Sequence, residues 1–514
     1  MRAKSIIYFG AFWDQSYFSP EGLYSASHPP LYVWLTALSY SLFGVNEFSA
    51  RFFSALFSIG ITIVIFFSGK LYYDSKTGFF AALLIIFNPF FNFWSMQGQF
   101  DIALTFFTGI AFYMYLLSGK KESFHLYLLT GLFIGLALLT KLFVGSIVIF
   151  SIILFEILNR DERNYQRIVT ILLTSALIAL PWHLFMILEH SGSDFLFFFK
   201  QSQMFERAFS GIENNSKELG FFFFLNQSIV YFPLFVVPFI FYIFFEAKKV
   251  SRNLFVIWFL LYFLIISAVS TKLPVYLLLL LIPLSLVATN SLMKFLKNYT
   301  SKREIFLFLT SINLLVSWSL SNEFRTMFKN IFRGNYSNFS QFLMNYWWIF
   351  AFFFLIESVI FYASFSSKKV NLLPLVLGAS LSCYFAIYLN TVLMNTYEDL
   401  DSGIEHIVDY INHNPNYNVI AVGHGINPQF SFYSDGLDIG WQKEKSFRRL
   451  DPENGYEEIY NYLLSNEFKN TYIIYEKSDF YLRNLTHPDL VIPVKFKSLI
   501  ETNEYILYSA ENNK

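Results

Sequence analysis

Asp101 is the carboxylate of this chain best placed to do chemistry. It stands in Gln97-Gly98-Gln99-Phe100-Asp101-Ile102, where a polar turn gives way to the apolar run 102–118. A carboxylate opening such a helix either caps its first N–H groups, which is a structural role, or takes a proton from a substrate hydroxyl. Asp14, in Trp13-Asp14-Gln15-Ser16-Tyr17, is the one early acid with an aromatic setting. The cations are as isolated as the acids. Lys141, in Ala137-Leu138-Leu139-Thr140-Lys141, and Lys272, in Ser270-Thr271-Lys272-Leu273-Pro274-Val275-Tyr276, each stand alone where two apolar runs adjoin. Such a lysine either snorkels to a membrane surface or neutralises an anion. His28 precedes the diproline Pro29-Pro30, and Arg207 lies in a long polar loop. An arginine there is a surface residue or a fork for phosphate oxygens. Together these residues have the types for a base and for several anion contacts.

The elements that must hold them are membrane helices. The 514 residues are 55% hydrophobic and 14% charged with a mean hydropathy of +0.45, which excludes an ordinary soluble domain. Apolar runs long enough or nearly long enough to cross a bilayer fall at 52–70, 79–93, 102–118, 125–140, 142–158, 168–189, 221–245, 253–270, 273–293, 305–321, 346–366 and 371–393. Counting each as one span puts the basic loops on a single side: Lys70 with Lys76, Lys120-Lys121, Arg160 to Arg167, Lys248 to Arg252, Lys294 to Arg303, and Lys368-Lys369. That side is cytoplasmic by the positive-inside rule. The same parity puts Asp101, Lys141, Lys272, the loops 190–220 and 322–345 and the C-terminal region outside. The apolar run 31–44 then has no span to make, and reads as a juxtamembrane or re-entrant helix whose start is set by the diproline.

From about residue 396 the texture changes. This region holds 19 acidic and 10 basic residues, although the whole chain balances 37 with 37. Asn418–Val422, Thr471–Glu476 and Glu504–Ser509 have strand length and composition, and Leu400–Asn412 and Asn454–Leu464 have helical spacing, so a small α/β domain is expected. The single cysteine, Cys383, provides no disulfide framework. His183 with His190, and His406 with His413, are too widely spaced for a His-x-x-x-His metal pair. The basic residues form no nucleic-acid surface.

Ser27-His28-Pro29-Pro30-Leu31-Tyr32-Val33-Trp34-Leu35, followed by Leu42-Phe43-Gly44 and Ala50-Arg51-Phe52-Phe53, resembles the first-loop signature of membrane glycosyltransferases that use polyprenyl-phosphate sugars. These include protein O-mannosyltransferases and the transferases that place aminoarabinose on lipid A. Asp101 before its Leu-x-Phe-Phe run is similar to the second-loop motif of that family. Lys141 and the Lys272-Leu273-Pro274-x-Tyr276 run are similar to later motifs, and Pro181-Trp182-His183 followed by Phe195 to Arg207 resembles the proline-tryptophan helix end and its arginine-bearing sequel. Arg51 matches the first-span arginine, or only anchors its helix. The resemblance implies donor-phosphate contacts from His28, Lys141, Arg207, Lys272 and Tyr276, with Asp101 as a catalytic acid or base. It also implies a first-loop base, either upstream of Met1 on a further transmembrane helix or at Asp14. Arg2-Ala3-x-x-Ile6-x-x-Phe9 then looks like the amphipathic helix that follows that base, and the chain is expected to lack its first helix.

The expected fold is a polytopic α-helical membrane protein of the GT-C type. It has about twelve visible spans and a juxtamembrane helix over residues 1–393, followed by an extracytoplasmic α/β domain over 394–514. The expected reaction is inverting transfer of a monosaccharide from a polyprenyl-phosphate carrier to a hydroxyl of a lipid, glycan or protein acceptor outside the cytoplasmic membrane. No cofactor beyond the lipid-linked donor and no nucleic-acid partner is expected. The alternatives are a lipid-linked sugar transporter or flippase, which would show paired repeats and charges deep in its spans, and a degenerate transferase that has lost its base.

Overall fold

The computed structural model describes residues 2–16, 28–86, 88–159, 164–190, 221–298, 404–413, 418–422, 447–449, 471–476, 496–502 and 505–510. They divide into two compact units. One comprises Ala26–Tyr32 and Arg51–Val392, and the other Met1–Ser25, Val33–Ala50 and Leu393–Lys514.

The first unit is helical. Its helices include α3 (Glu47–Tyr72, from Arg51 on), α4 (Ser75–Ile86), α5 (Pro89–Ser95), α6 (Phe100–Lys121), α7 (Phe124–Leu138), α8 (Leu142–Leu158) and α9 (Tyr165–His190). After the next described stretch come α10 (Phe223–Tyr231), α11 (Pro233–Phe245), α12 (Leu254–Ala268) and α13 (Leu278–Asn298). Among the described residues, four helical stretches are long and apolar enough to cross a membrane: Glu47–Tyr72, Phe100–Lys121, Tyr165–His190 and Pro274–Lys294. The apolar runs 305–321, 346–366 and 371–393 lie outside the described residues.

Two of the apolar runs are not single helices. Run 79–93 breaks before Asn88, whose side chain accepts from Phe91 N and caps α5, with Pro89 opening the new helix. Run 221–245 breaks at Phe232, where Pro233 opens α11. In both cases proline cannot donate to the preceding turn, while its fixed φ suits a helix start, so hydropathy continues where the helix does not.

The core of this unit sits on α13. Leu278, Leu279, Leu280 and Leu281 are fully buried. On α6, Phe112 stacks on Trp258 of α12 with ring centroids 4.2 Å apart. Helices α3 and α4 meet backbone to backbone: a Cβ on Gly69 would lie 2.5 Å from Gly78 Cα, and a Cβ on Gly78 would run into Phe66 O and Lys70 N. Gly78→Ala is therefore expected to cost about 1–3 kcal/mol or more, because backbone rather than a flexible side chain must yield. A thermal unfolding curve in detergent checks this, and an unchanged midpoint would contradict the close approach.

Opposite the end that carries Asp101, basic residues fasten the helices together. Arg167 and Glu156 form a buried ion pair, with Tyr115 OH donating to Glu156 Oε1 at 2.7 Å and the guanidinium 4.9 Å from the Tyr115 ring. Lys294 and Lys249 each reach Glu246 at 3.0 Å. Burial pushes the Glu246 carboxyl up, but the two lysines outweigh it and hold the group below its usual value.

In the other unit, α1 (Arg2–Phe9) and α2 (Leu31–Phe43, from Val33 on) share a small core of Ala3, Ala37 and Tyr40. At 13 residues α2 is about 20 Å long, short of the roughly 30 Å of hydrocarbon that a span must cross. Trp34 stacks on Phe12 at 4.6 Å and donates its indole N–H to Phe12 O. The same unit contains a five-stranded sheet in the order β2-β1-β3-β5-β4, built from β1 (Asn418–Val422), β2 (Phe447–Arg449), β3 (Thr471–Glu476), β4 (Phe496–Glu501) and β5 (Tyr505–Ala510). β1 runs parallel to β2 and β3, and β5 runs antiparallel to β3 and β4. Helix α14 (Ile404–Asn412) buries Ile404, Ile407, Val408 and Ile411, a single helical face, against Tyr472, Ile474, Tyr505 and Leu507. The expected helix at 454–464 lies outside the described residues.

Candidate active site

Asp101 does not cap its helix. The N-cap of α6 is Gln99, and Asp101 sits in the first turn with its carboxylate turned to another helix junction. There Lys141 Nζ meets Asp101 Oδ1 at 2.8 Å, and the two side chains are only 11% and 3% exposed. Lys141 is held in extended conformation as the N-cap of α8, in a turn of three residues after α7, and its own N–H is tied to Ala137 O. Taking two charges out of water is costly unless each serves the other, so this pair sets the electrostatics of the site.

The diproline segment is fixed onto the same turn. Leu31 N donates to Leu139 O at 3.2 Å, two residues before Lys141. Tyr32 OH and Ser54 Oγ are 2.8 Å apart, and Ser54 Oγ donates to Gln99 O just ahead of Asp101. These bonds bring His28 against Phe100, with ring centroids 4.3 Å apart. Phe100 in turn lies under Lys141 Nζ at 4.6 Å.

Tyr276 completes the other side. Its ring is 5.1 Å from Lys141 Nζ and stacks with Phe224 at 6.3 Å, and its carbonyl accepts from Tyr262 OH at 2.9 Å. Lys272 Nζ is 5.4 Å from the Phe224 ring. The same ammonium donates to Ile266 O at 3.1 Å and Ser267 O at 2.6 Å, carbonyls at the C-terminal end of α12. A lysine is favourable there, since those carbonyls lack helical partners. Lys272 is 6% exposed, and among the described residues no carboxylate pairs with it. Burial lowers the pKa of its ammonium. With carbonyl dipoles as its partners among the described residues, such a buried cation favours an arriving anion.

Four of the sequence candidates are thus gathered with Lys272: His28, Asp101, Lys141 and Tyr276, linked through Phe100 and Phe224. Arg207 lies outside the described residues. Asp14 belongs to the other unit, where its Oδ1 accepts from Ser16 N at 2.8 Å and Ser16 Oγ at 2.7 Å. Arg51 is exposed on α3. His183 is buried on α9, its Nδ1 2.8 Å from Ala179 O. Phe100, Phe224 and Tyr262 were not singled out from sequence: in a chain with 66 phenylalanines and 33 tyrosines, nothing local marks the rings that line a site. Among the described residues no three His, Cys, Asp or Glu side chains gather as a metal-ligand set.

The fold is that of a polytopic membrane protein, with four described helical stretches long and apolar enough to span. Residues 27–185 match the family described as dolichyl-phosphate-mannose-protein mannosyltransferase. The structure is similar to that of ArnT from Cupriavidus metallidurans bound to undecaprenyl phosphate, with a TM-score of 0.67 and 17% identity over 94% of this chain and 87% of that one. The apo form of the same ArnT gives a TM-score of 0.67 and 16% identity over 99% and 91% of the two chains. Two uncharacterised proteins of Aquifex aeolicus are also related. One is 25% identical over 279 residues, 53% of this chain and 54% of its own length, and the other is 28% identical over 218 residues, 42% and 46%. The matched stretches therefore span about half of each relative. The resemblance read from the first-loop and second-loop motifs is borne out: the chain is similar to the polyprenyl-phosphate-sugar-dependent membrane glycosyltransferases.

Proposed function

We propose that this protein is a glycosyltransferase that moves a monosaccharide from a polyprenyl-phosphate carrier to an acceptor hydroxyl on the extracytoplasmic face of the membrane. The observation that carries this reading is a buried carboxylate, Asp101, with two buried ammoniums of different standing: Lys141 is paired with it, and Lys272 has no counter-ion among the described residues. A phosphodiester supplies the missing negative charge. The undecaprenyl phosphate bound to the similar ArnT fold supports a lipid of this class.

In this reading Asp101 takes the proton of the acceptor hydroxyl, with Asp14 as the alternative base. The acceptor oxygen then bonds to the anomeric carbon from the side opposite the leaving group, and the bond from that carbon to the phosphate oxygen breaks. The bonding pair leaves with the phosphate, whose charge Lys141 and Lys272 stabilise, with His28, Tyr276 and Arg207 contributing to its binding. The stereochemical outcome is inversion, and the carrier is released as polyprenyl phosphate.

The test is consumption of undecaprenyl-phosphate-linked mannose or aminoarabinose by the protein in proteoliposomes, with membranes of the source organism as acceptor. Release of undecaprenyl phosphate with label fixed in the acceptor is expected. Passage of intact donor across the vesicle without release would favour the transporter instead.

The orientation is tested separately. In a Cys383→Ala background, Ser434→Cys is expected to react with an impermeant maleimide on spheroplasts, and Ser367→Cys is expected to be protected. The reverse pattern would overturn the placement of the C-terminal region.

A further inference from the structure

Resting on the reading above, we propose that Asp101 is the internal stand-in for the donor phosphate: it occupies Lys141 while the site is empty, and arrival of the donor exchanges one anion for the other. The geometry that points to this is the closure of the pair. Asp101 and Lys141 are bonded to each other at 2.8 Å, and both side chains are almost entirely out of water. Lys141 has no second carboxylate among the described residues, and its ammonium also lies over the faces of Phe100 and Tyr276. Leaving an ammonium in such surroundings without an anion is costly. Lys272 differs, because its carbonyl partners satisfy donors without cancelling charge.

The exchange has a consequence for the chemistry. In the empty site the Oδ1 atom of Asp101 is engaged by the Lys141 ammonium, so it is not free to meet the acceptor hydroxyl. When a phosphate oxygen takes Lys141, the carboxylate is released next to the bound donor and only then is free to accept the acceptor's proton. Base activation is thereby tied to donor occupancy. Asp101 opposes donor binding in the empty state and serves the reaction in the loaded one.

The two roles have opposite signs in a binding experiment. Undecaprenyl phosphate is titrated into the purified full chain in nanodiscs, for the wild type, Asp101→Asn and Lys141→Met. Asp101→Asn removes the competing anion while keeping the side-chain shape, so it is expected to bind undecaprenyl phosphate about tenfold tighter than wild type. Lys141→Met is expected to lose most binding. Equal or weaker binding by Asp101→Asn, with wild-type binding intact, would overturn the exchange and leave the phosphate site standing. Failure of both wild type and Asp101→Asn to bind would remove the phosphate site itself.

A second measurement needs no variant. In a structure of the wild type with undecaprenyl phosphate bound, Lys141 Nζ should lie on a phosphate oxygen and beyond hydrogen-bond reach of Asp101. Retention of the 2.8 Å pair beside a bound phosphate would also overturn the exchange.

Discussion

Asp101→Asn is expected to reduce transfer from the polyprenyl-phosphate donor by about 10²–10⁴-fold, the usual contribution of a positioned base. The substitution keeps shape and volume, and the structural role that would have complicated it is absent. Gln99 is the N-cap of α6, and the Asp101 carboxylate bonds to Lys141 rather than to backbone N–H groups. Loss of rate with an unchanged size-exclusion profile would therefore report on chemistry. Asparagine also leaves Lys141 without its counter-ion, so the thermal midpoint should be recorded beside the rate. Near-normal turnover by Asp101→Asn would show that Asp101 is not the base.

The second large effect concerns folding. Arg167→Met is expected to destabilise the protein by about 3–5 kcal/mol, because Glu156 would remain in the interior without its guanidinium. The Glu156 side chain is 2% exposed and that of Arg167 7%, so water cannot take over the lost contact. The pair joins α8 to α9, and Tyr115 brings in α6, which makes it a three-helix fastening at the end away from Asp101. Changing both residues, Glu156→Gln with Arg167→Met, should recover much of the loss, since no uncompensated charge is then left. Thermal unfolding of the two variants in detergent reads the difference. Equal midpoints for the single and the double variant would show that the buried charge is not what matters.

Much of the helical unit was legible because its signal is hydropathy, which needs no neighbours to be read. Breaks were less legible: Asn88-Pro89 and Phe232-Pro233 interrupt apolar runs without changing their hydropathy. The strands Asn418–Val422 and Thr471–Glu476 were visible in their β-branched and aromatic content, and β5 was found one residue out of place. β4 was missed, because it is an edge strand whose Lys497, Ser498 and Glu501 face solvent and dilute the pattern. β2, with three residues, is too short to show any period.

In the site, the charged members were found because each contradicts its surroundings: a lone acid or a lone lysine among apolar residues is conspicuous. What joins them was not readable. The Lys141 to Asp101 bond spans 40 residues, and the rings of Phe100, Tyr276 and Phe224 acquire their meaning only when α6, α10 and the turn after α12 are brought together. The role of Lys272 as a partner of the last carbonyls of α12 was equally hidden, because it depends on where that helix stops.

The most direct test of a phosphate-binding site shared by two lysines is the affinity of the full chain for undecaprenyl phosphate in nanodiscs, measured for wild type, Lys141→Met, Lys272→Met and the double variant. Saturable binding by wild type, weakened about tenfold or more by each single change and lost in the double variant, is the expected result. Wild-type affinity in the double variant would contradict the account, because the lipid phosphate would then be held by groups other than those gathered around Asp101.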